Sequence, residues 1–450
     1  MTEEDQPLPG RRGLRLPATL VERARTGLGL IRSRRLRAGA VPSRGVAFLG
    51  TVWTGGATEP GFGLVVLDGT GRIADIRADR SGLPSDLLVL GGVNHWVVPG
   101  VVDAHVHLNQ PADGAAELAG ATEGEPLRTG LETGLVGIRD LAAPLHEALR
   151  WRTGHQPPPP GWPVVAVSGP VLIAPGGYPA PCWAGDGDTE FVNSPVQARW
   201  AVQRLAADGV DLIKLGLDPG SNARPVPPPA VVRAVVTAAH DAGLPVVAHA
   251  LSAELVGRAV DAGVDELAHI PTERLPADLI ERLAGSGMKV TSTLQLFFSR
   301  GFGRDAAANA ADLVTAGVPL LYGTDLGRSG AVPAVDPREL DRLAATGLGR
   351  LGALRAATEA SAGAAGMRRR TGRLRVGEPA ALVLLPASPL VEPGVWRTPS
   401  AVFADGRLTV SPNAPTHRAV RPAGPAAGGQ PPHRSPPTGA GPPPISGTDD

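Results

Sequence analysis

The chain has 450 residues, 43 basic against 43 acidic side chains, and 42% hydrophobic residues, enough apolar material for one large domain or two moderate ones. The charge balance excludes a global pull towards nucleic acid or acidic membranes and favours a small-molecule substrate in a concave site. With Cys182 as the one cysteine, no disulfide forms within the chain and no thiolate cluster binds metal, so any metal falls to His, carboxylates or lysine derivatives.

Residues 1–45 carry an arginine cluster from Arg11 to Arg44 around short apolar groups and read as a basic, flexible extension. The start, Met1 to Pro9, is acidic and contains proline, unlike a secretory signal, and no run of about 18 apolar residues spans a membrane. The expected location is the cytoplasm. Between residues 46 and 96 short strands are punctuated by glycine: Val46-Ala-Phe-Leu, Leu64-Val-Val-Leu-Asp, Arg72-Ile-Ala-Asp-Ile-Arg and Leu87-Leu-Val-Leu. Asp68-Gly69-Thr70-Gly71 reads as a hairpin turn, since glycine supplies the positive φ that such turns need.

At Val97 the texture changes. Val97-Val-Pro-Gly-Val-Val-Asp-Ala-His-Val-His-Leu begins with the β-branched run of a strand buried on both faces and ends in His105 and His107. Residues two apart on a strand share a face, so this pair can hold one metal ion, which the same pair on a helix could not. Further strands are expected near Gly134–Asp140, Val164–Ser168, Asp211–Leu215, Pro245–His249, Glu266–Ile270, Lys289–Thr293 and Pro319–Thr324. Helices fall between them, for example Ser194–Asp208, Pro228–Ala242, Ala253–Ala262 and Pro276–Ser286, with glycine at the ends where a left-handed cap is wanted. Eight strands alternating with helices predict an α/β fold, a closed (β/α)8 barrel over residues 97–379. The open doubly wound alternative lacks its usual mark, since no Gly-x-Gly-x-x-Gly follows any strand. Late strands at Leu382–Leu385, Ala401–Phe403 and Gly406–Val410 are expected to complete, with residues 46–96, a composite β-sandwich domain ending at 380–410. Residues 411–450 are rich in Pro, Gly, Ser and Thr and are expected to be a disordered tail.

Barrels place their sites at the C-terminal ends of the strands. There the chain sets His105 and His107, Lys214 within Leu212-Ile-Lys-Leu-Gly, His249, His269 and Asp325. Four of ten histidines at the ends of three apolar strands is not a random scatter. An ammonium ion on an apolar strand is expensive unless paired or altered, and a neutral lysine amine can add carbon dioxide to give a carbamate whose two oxygens bridge two cations. An ordinary Lys214 reaching a carboxylate at the barrel mouth stays open beside it.

These residues resemble the amidohydrolase superfamily over most of 46–410, through Val98-Pro-Gly-Val-Val-Asp-Ala-His-Val-His, Gly137-Ile-Arg-Asp-Leu, Ile213-Lys-Leu, Val247-Ala-His, Ala262-Gly-Val-Asp-Glu-Leu-Ala-His, Gly323-Thr-Asp-Leu-Gly and Leu354-Arg-Ala-Ala-Thr. Within it the chain is most similar to the imidazolonepropionase-related and Xaa-Pro dipeptidase-like branch, whose third-strand loop Gly169-Pro-Val-Leu-Ile-Ala-Pro-Gly-Gly resembles. It departs from that pattern at Tyr178, where Gly-Gly is often followed by His, and at Ile270-Pro271 after His269.

The resemblance implies a metal-dependent hydrolase of an amide, dipeptide or cyclic amide, with two zinc ions per chain. One would sit on His105, His107 and Asp325, the other on His249 and His269, with carboxylated Lys214 between them. A water acidified by such cations attacks the carbonyl, and Asp325 acts as general base and then acid. Tyr178 and Arg328, with Cys182 and Trp183, are the substrate-contact candidates at the barrel mouth. Two alternatives remain: a mononuclear, deaminase-type hydrolase that would not need Lys214, and an inactive barrel serving as a binding or scaffold protein. Assembly into a homo-oligomer is left open.

Overall fold

The computed structural model describes residues 41–108, 125–153, 162–179, 187–220, 223–327 and 333–410. Most of the arginine-rich extension, the 411–450 tail, Cys182, Trp183 and Arg328 lie outside the described residues. The first described elements are β1 (Val46–Val52), β2 (Gly61–Leu67), β3 (Ile73–Arg77) and the long β4 (Leu88–Pro99). β1 and β2 pair antiparallel, as do β2 and β3, while β4 runs parallel to β1. The turn between β2 and β3 is closed by Asp68, whose Oδ1 accepts the N–H groups of Thr70 at 2.8 Å and Arg72 at 3.1 Å.

The sequence reading runs a strand through Val98 to His105, whereas the structure breaks it at Gly100. Val97 to Pro99 belong to the small sheet and β5 (Val101–Val106) opens the barrel. Gly100 marks the change of sheet because a Cβ there would lie 2.3 Å from Val136 Cγ2. β5, β6 (Leu135–Asp140) and β7 (Val164–Val167) pair parallel in one arc. Two short strands missed by the sequence reading, β8 (Val171–Ile173) and β9 (Thr189–Phe191), follow as an excursion. The second arc is β10 (Ile213–Gly216), β11 (Val246–His249), β12 (Glu266–Leu267), β13 (Lys289–Thr291) and β14 (Leu320–Leu321), again all parallel.

A few backbone hydrogen bonds outside the ladders join the arcs into a (β/α)8 barrel. At one seam Asp211 N–H donates to Val167 O at 2.9 Å. At the other, Ala104 N–H donates to Tyr322 O at 3.0 Å, Asp325 N–H to His105 O at 2.8 Å, and His107 N–H to Leu326 O at 2.9 Å. The helices between strands begin and end where their caps dictate. Pro195–Asp208 starts at Ser194, whose hydroxyl accepts Gln197 N–H, and stops at Gly209 with φ 90.

β15 (Leu382–Leu385), β16 (Ala401–Ala404) and β17 (Arg407–Val410) then return to the first sheet, giving the order β17-β16-β15-β4-β1-β2-β3. The period of two on β15 explains why this sheet needs both neighbours. Val383 and Leu385 join the large apolar cluster of the barrel together with Trp53 and Trp396. Leu382 and Leu384 face a separate cluster in which Phe48 and Phe403 meet edge to face at 5.3 Å.

Candidate metal centre

The site is built at the end of β5. Asp103 and His105 alternate on β5, His107 follows one residue past its end in the same spacing, and all three are buried. Asp103 fastens this strand to the segment carrying Asp325: its carboxylate accepts His105 N–H at 3.0 Å, Thr324 N–H at 3.1 Å and the Thr324 hydroxyl at 2.6 Å. Burial pushes the Asp103 carboxyl up to about 7 against those hydrogen bonds. Asp140, at the end of β6, holds the other side of the turn by accepting Leu108 N–H at 2.7 Å, and burial raises it likewise to about 7. Asp325 itself takes a left-handed backbone with φ 55, which aspartate tolerates better than most residues. Gly327 has φ 108, and a Cβ on it would lie 1.8 Å from His107 O, so the chain can pass this close only as glycine.

His105 Nε2 and His107 Nε2 are 3.3 Å apart and lie 3.4 and 3.0 Å from Asp325 Oδ1. Ligand atoms bound at about 2.0–2.1 Å to one tetrahedral ion stand roughly 3.3 Å from each other, so these three atoms already have the spacing of such a set. His105 Nδ1 is 2.9 Å from Ala268 O and His269 Nδ1 is 2.9 Å from Thr293 Oγ1, which leaves Nε2 of each ring for a ligand role. Ligand atoms of His105, His269 and Asp325 all fall within 4.8 Å of one another. The His105 and His269 ring centroids are 4.5 Å apart, and those of His249 and His269 are 4.8 Å apart.

Burial, then the positive field of Lys214, holds His105 well below the usual histidine range; burial, then the neighbouring His105, does the same for His269. Burial alone would raise Asp325, but the His105, His107 and His269 imidazoles carry it well below the carboxylate range. Neutral imidazoles around an ionised carboxylate are the donor chemistry a divalent cation requires, and the residues present fit the group.

Lys214 on β10 is buried and lines the same pocket as His105, His107, His249 and His269. Leu141, Val171 and Pro179 add apolar lining to this pocket. Half-buried Tyr178 closes one side, its ring centroid 5.4 Å from His249. The fold thus brings together His105, His107, Lys214, His249, His269, Asp325 and Tyr178, while Arg328 lies outside the described residues. Sequence reasoning gave no part to Asp103, Asp140, Thr293 or Thr324. A carboxylate in an apolar strand was the available signal for the two aspartates; the threonines carry none.

Beneath the site the barrel interior holds an ion pair. Arg139 donates to both carboxylate oxygens of Glu266, one at 3.0 Å, and to Ala104 O at 2.7 Å; the Thr291 hydroxyl adds a bond to Glu266 at 2.6 Å. Such a pair is tolerable in a core because its remaining polar atoms are also bonded. No helix among the described residues is long and apolar enough to cross a membrane.

The model of the amidohydrolase family matches residues 166–409. Uncharacterised proteins of Mycobacterium tuberculosis and Mycobacterium bovis are 28% identical over 257 residues, which is 52% of this chain. The match spans 64% of the length of these relatives. Among solved structures, an Xaa-Pro dipeptidase with methionine in its active site superposes with a TM-score of 0.70 at 22% identity, covering 81% of this chain and 99% of that one. A molinate hydrolase gives 0.68 at 19% identity, covering 83% and 95%. The A. niger ochratoxinase gives 0.67 at 19%, covering 82% and 97%. At these identities the structural likenesses establish the fold.

Proposed function

Because this chain belongs to the amidohydrolase family, we propose that it hydrolyses an amide-type carbon–nitrogen bond of a small molecule at the centre formed by His105, His107, Lys214, His249, His269 and Asp325. The observation that carries this reading is the convergence of two imidazole nitrogens 3.3 Å apart on one oxygen of a buried carboxylate. Divalent cations held there would supply a Lewis acid for the carbonyl and lower the pKa of water.

The protein's own groups do the rest. His105, His107 and Asp325 would hold one cation, His249 and His269 a second, and Lys214, if carboxylated, would supply further oxygen ligands. Asp325, ionised and buried, takes the proton of the attacking water and returns it to the leaving nitrogen. The apolar lining of Leu141, Val171 and Pro179 keeps bulk water from the reacting bond, and Tyr178 contacts the substrate.

A one-cation reading is favoured by a separate observation: His269 also brings a ligand atom within 4.8 Å of those of His105 and Asp325, so a single ion can draw on both histidine groups. Metal analysis of the full chain separates the two. About two equivalents of zinc are expected, one equivalent would favour the mononuclear reading, and none would overturn both. The zinc-loaded protein is then assayed against N-acyl amino acids, Xaa-Pro and Xaa-Arg dipeptides and cyclic imides, with turnover of at least one class expected and lost on chelation.

A further inference from the structure

β13 ends at Thr291 and the helix Leu294–Ser299 begins three residues later, which puts Thr293 at the helix N-cap. A threonine there ordinarily turns its hydroxyl onto the N–H of the second or third helical residue. Thr293 makes no such bond. Its backbone lies in the left-handed region at φ 46 and ψ 30, an uncommon place for a β-branched residue, and its Oγ1 is 2.9 Å from His269 Nδ1.

The capping is done from another element. Glu339, fully buried on the helix Pro337–Leu343, accepts Leu294 N–H at 3.0 Å with one carboxylate oxygen and Gln295 N–H at 2.5 Å with the other. That helix is itself held: Asp336, its N-cap, accepts Arg338 N–H, and Asp336 N–H donates to the buried Tyr322 hydroxyl at 2.7 Å. A second backbone bond, Thr293 N–H to Gly323 O at 3.1 Å, pins the residue from the β14 side.

We propose that Glu339 is a positioning residue for His269. By satisfying the helix N-terminus in place of Thr293, it frees the threonine hydroxyl and holds its backbone where Oγ1 receives the His269 Nδ1 proton. The ring is then fixed in the tautomer and orientation that present Nε2 to a cation. Without Glu339 the two N–H groups of Leu294 and Gln295 lack their acceptor. Thr293, as the N-cap residue, can then turn its hydroxyl onto them, and doing so withdraws it from His269.

This rests on the metal-centre reading above, and the test is a double-mutant cycle read as zinc affinity of the full chain, by competition with a chelator, beside the urea midpoint of each metal-free protein. Thr293→Val and Glu339→Gln are each expected to weaken zinc binding about tenfold or more. The double variant should bind no more weakly than the weaker single, because both act through one hydrogen bond. Thr293→Ser, which keeps the hydroxyl, should stay within about threefold of the parent. Glu339→Asp keeps the charge but shortens the reach, and supplies the same comparison where Glu339→Gln does not fold. Effects that multiply in the double variant, or a Glu339 variant that lowers the urea midpoint while zinc affinity is unchanged, would overturn the relay and leave the metal centre standing. A parent chain that takes up no zinc would instead remove the reading on which it rests.

Discussion

Lys214 is the side chain on which the number of cations turns. As a carbamate it would bring an oxygen to each ion and offset their repulsion; as an ammonium it would oppose cation binding, and its positive field adds to burial in holding His105 low. Lys214→Ala is expected to lose at least one metal equivalent and nearly all turnover, with short carboxylic acids restoring part of both. Lys214→Arg should not be rescued, since its bulk and fixed charge occupy the gap. Retention of both metals and near-normal turnover by Lys214→Ala would sink the bridging role.

A second residue-scale expectation concerns pH. Burial raises the Glu339 carboxyl from 4.5 to about 7, above its unfolded value, so the native state holds this proton more tightly than the unfolded chain. The stability it contributes is therefore full below about 4.5 and is lost as pH rises to about 7, at most roughly 3 kcal/mol. Asp103 and Asp140 act in the same sense. Urea midpoints of the metal-free protein should fall across this window, and Glu339→Gln should flatten the slope; an unchanged slope would refute the assignment. The six ligand candidates were legible because their chemistry is written in residue type at strand ends. Their partners were not: Asp103 meets Thr324 across 221 residues and Glu339 meets Leu294 across 45, pairings that no local pattern announces.

At the scale of elements, the site lies on the barrel's closing seam. Two of the three backbone bonds that join β5 and the residue after it to the chain after β14 involve His105, His107 and Asp325, so closing the barrel and assembling the ligands are one event. Gly327→Ala tests this, because its Cβ would strike His107 O at 1.8 Å and its φ of 108 disfavours any side chain. Zinc retained after dialysis should drop severalfold while far-UV circular dichroism of the folded protein stays near normal; full zinc retention would show that the seam tolerates opening. Most strands could be read from their β-branched runs, and helix stops from glycine. The break at Gly100 could not, because the run Val97-Val-Pro-Gly-Val-Val is apolar on both sides of it and only the contact with Val136 decides where the chain changes sheets.

At the scale of the whole described structure, Trp53, Val383, Leu385 and Trp396 sit in the apolar cluster of the barrel, although the first three lie in or beside the small sheet. The two layers therefore stand or fall together. Trp396→Ala, at a fully buried position, is expected to cost about 3–5 kcal/mol. Circular dichroism and tryptophan fluorescence should report coincident urea midpoints both before and after the change. Separate transitions for sheet and barrel would contradict a shared core. The composite organisation was readable from apolar strands at both ends of the barrel, but the pairing of Leu382 with Pro99 and of Val383 with Val98 was not.

That pairing has a consequence in time. The ribosome makes β4 early, yet its partner β15 follows roughly 280 residues later, an interval of about 15–60 s at common elongation rates. Throughout it, the nascent chain carries a bare hydrogen-bonding edge along Trp96, Val97 and Val98, a few residues ahead of His105 and His107. Release of the chain before Leu385 would leave that edge open to any other strand, so premature termination of this protein yields a species primed for intermolecular pairing even when the barrel residues have all been synthesised.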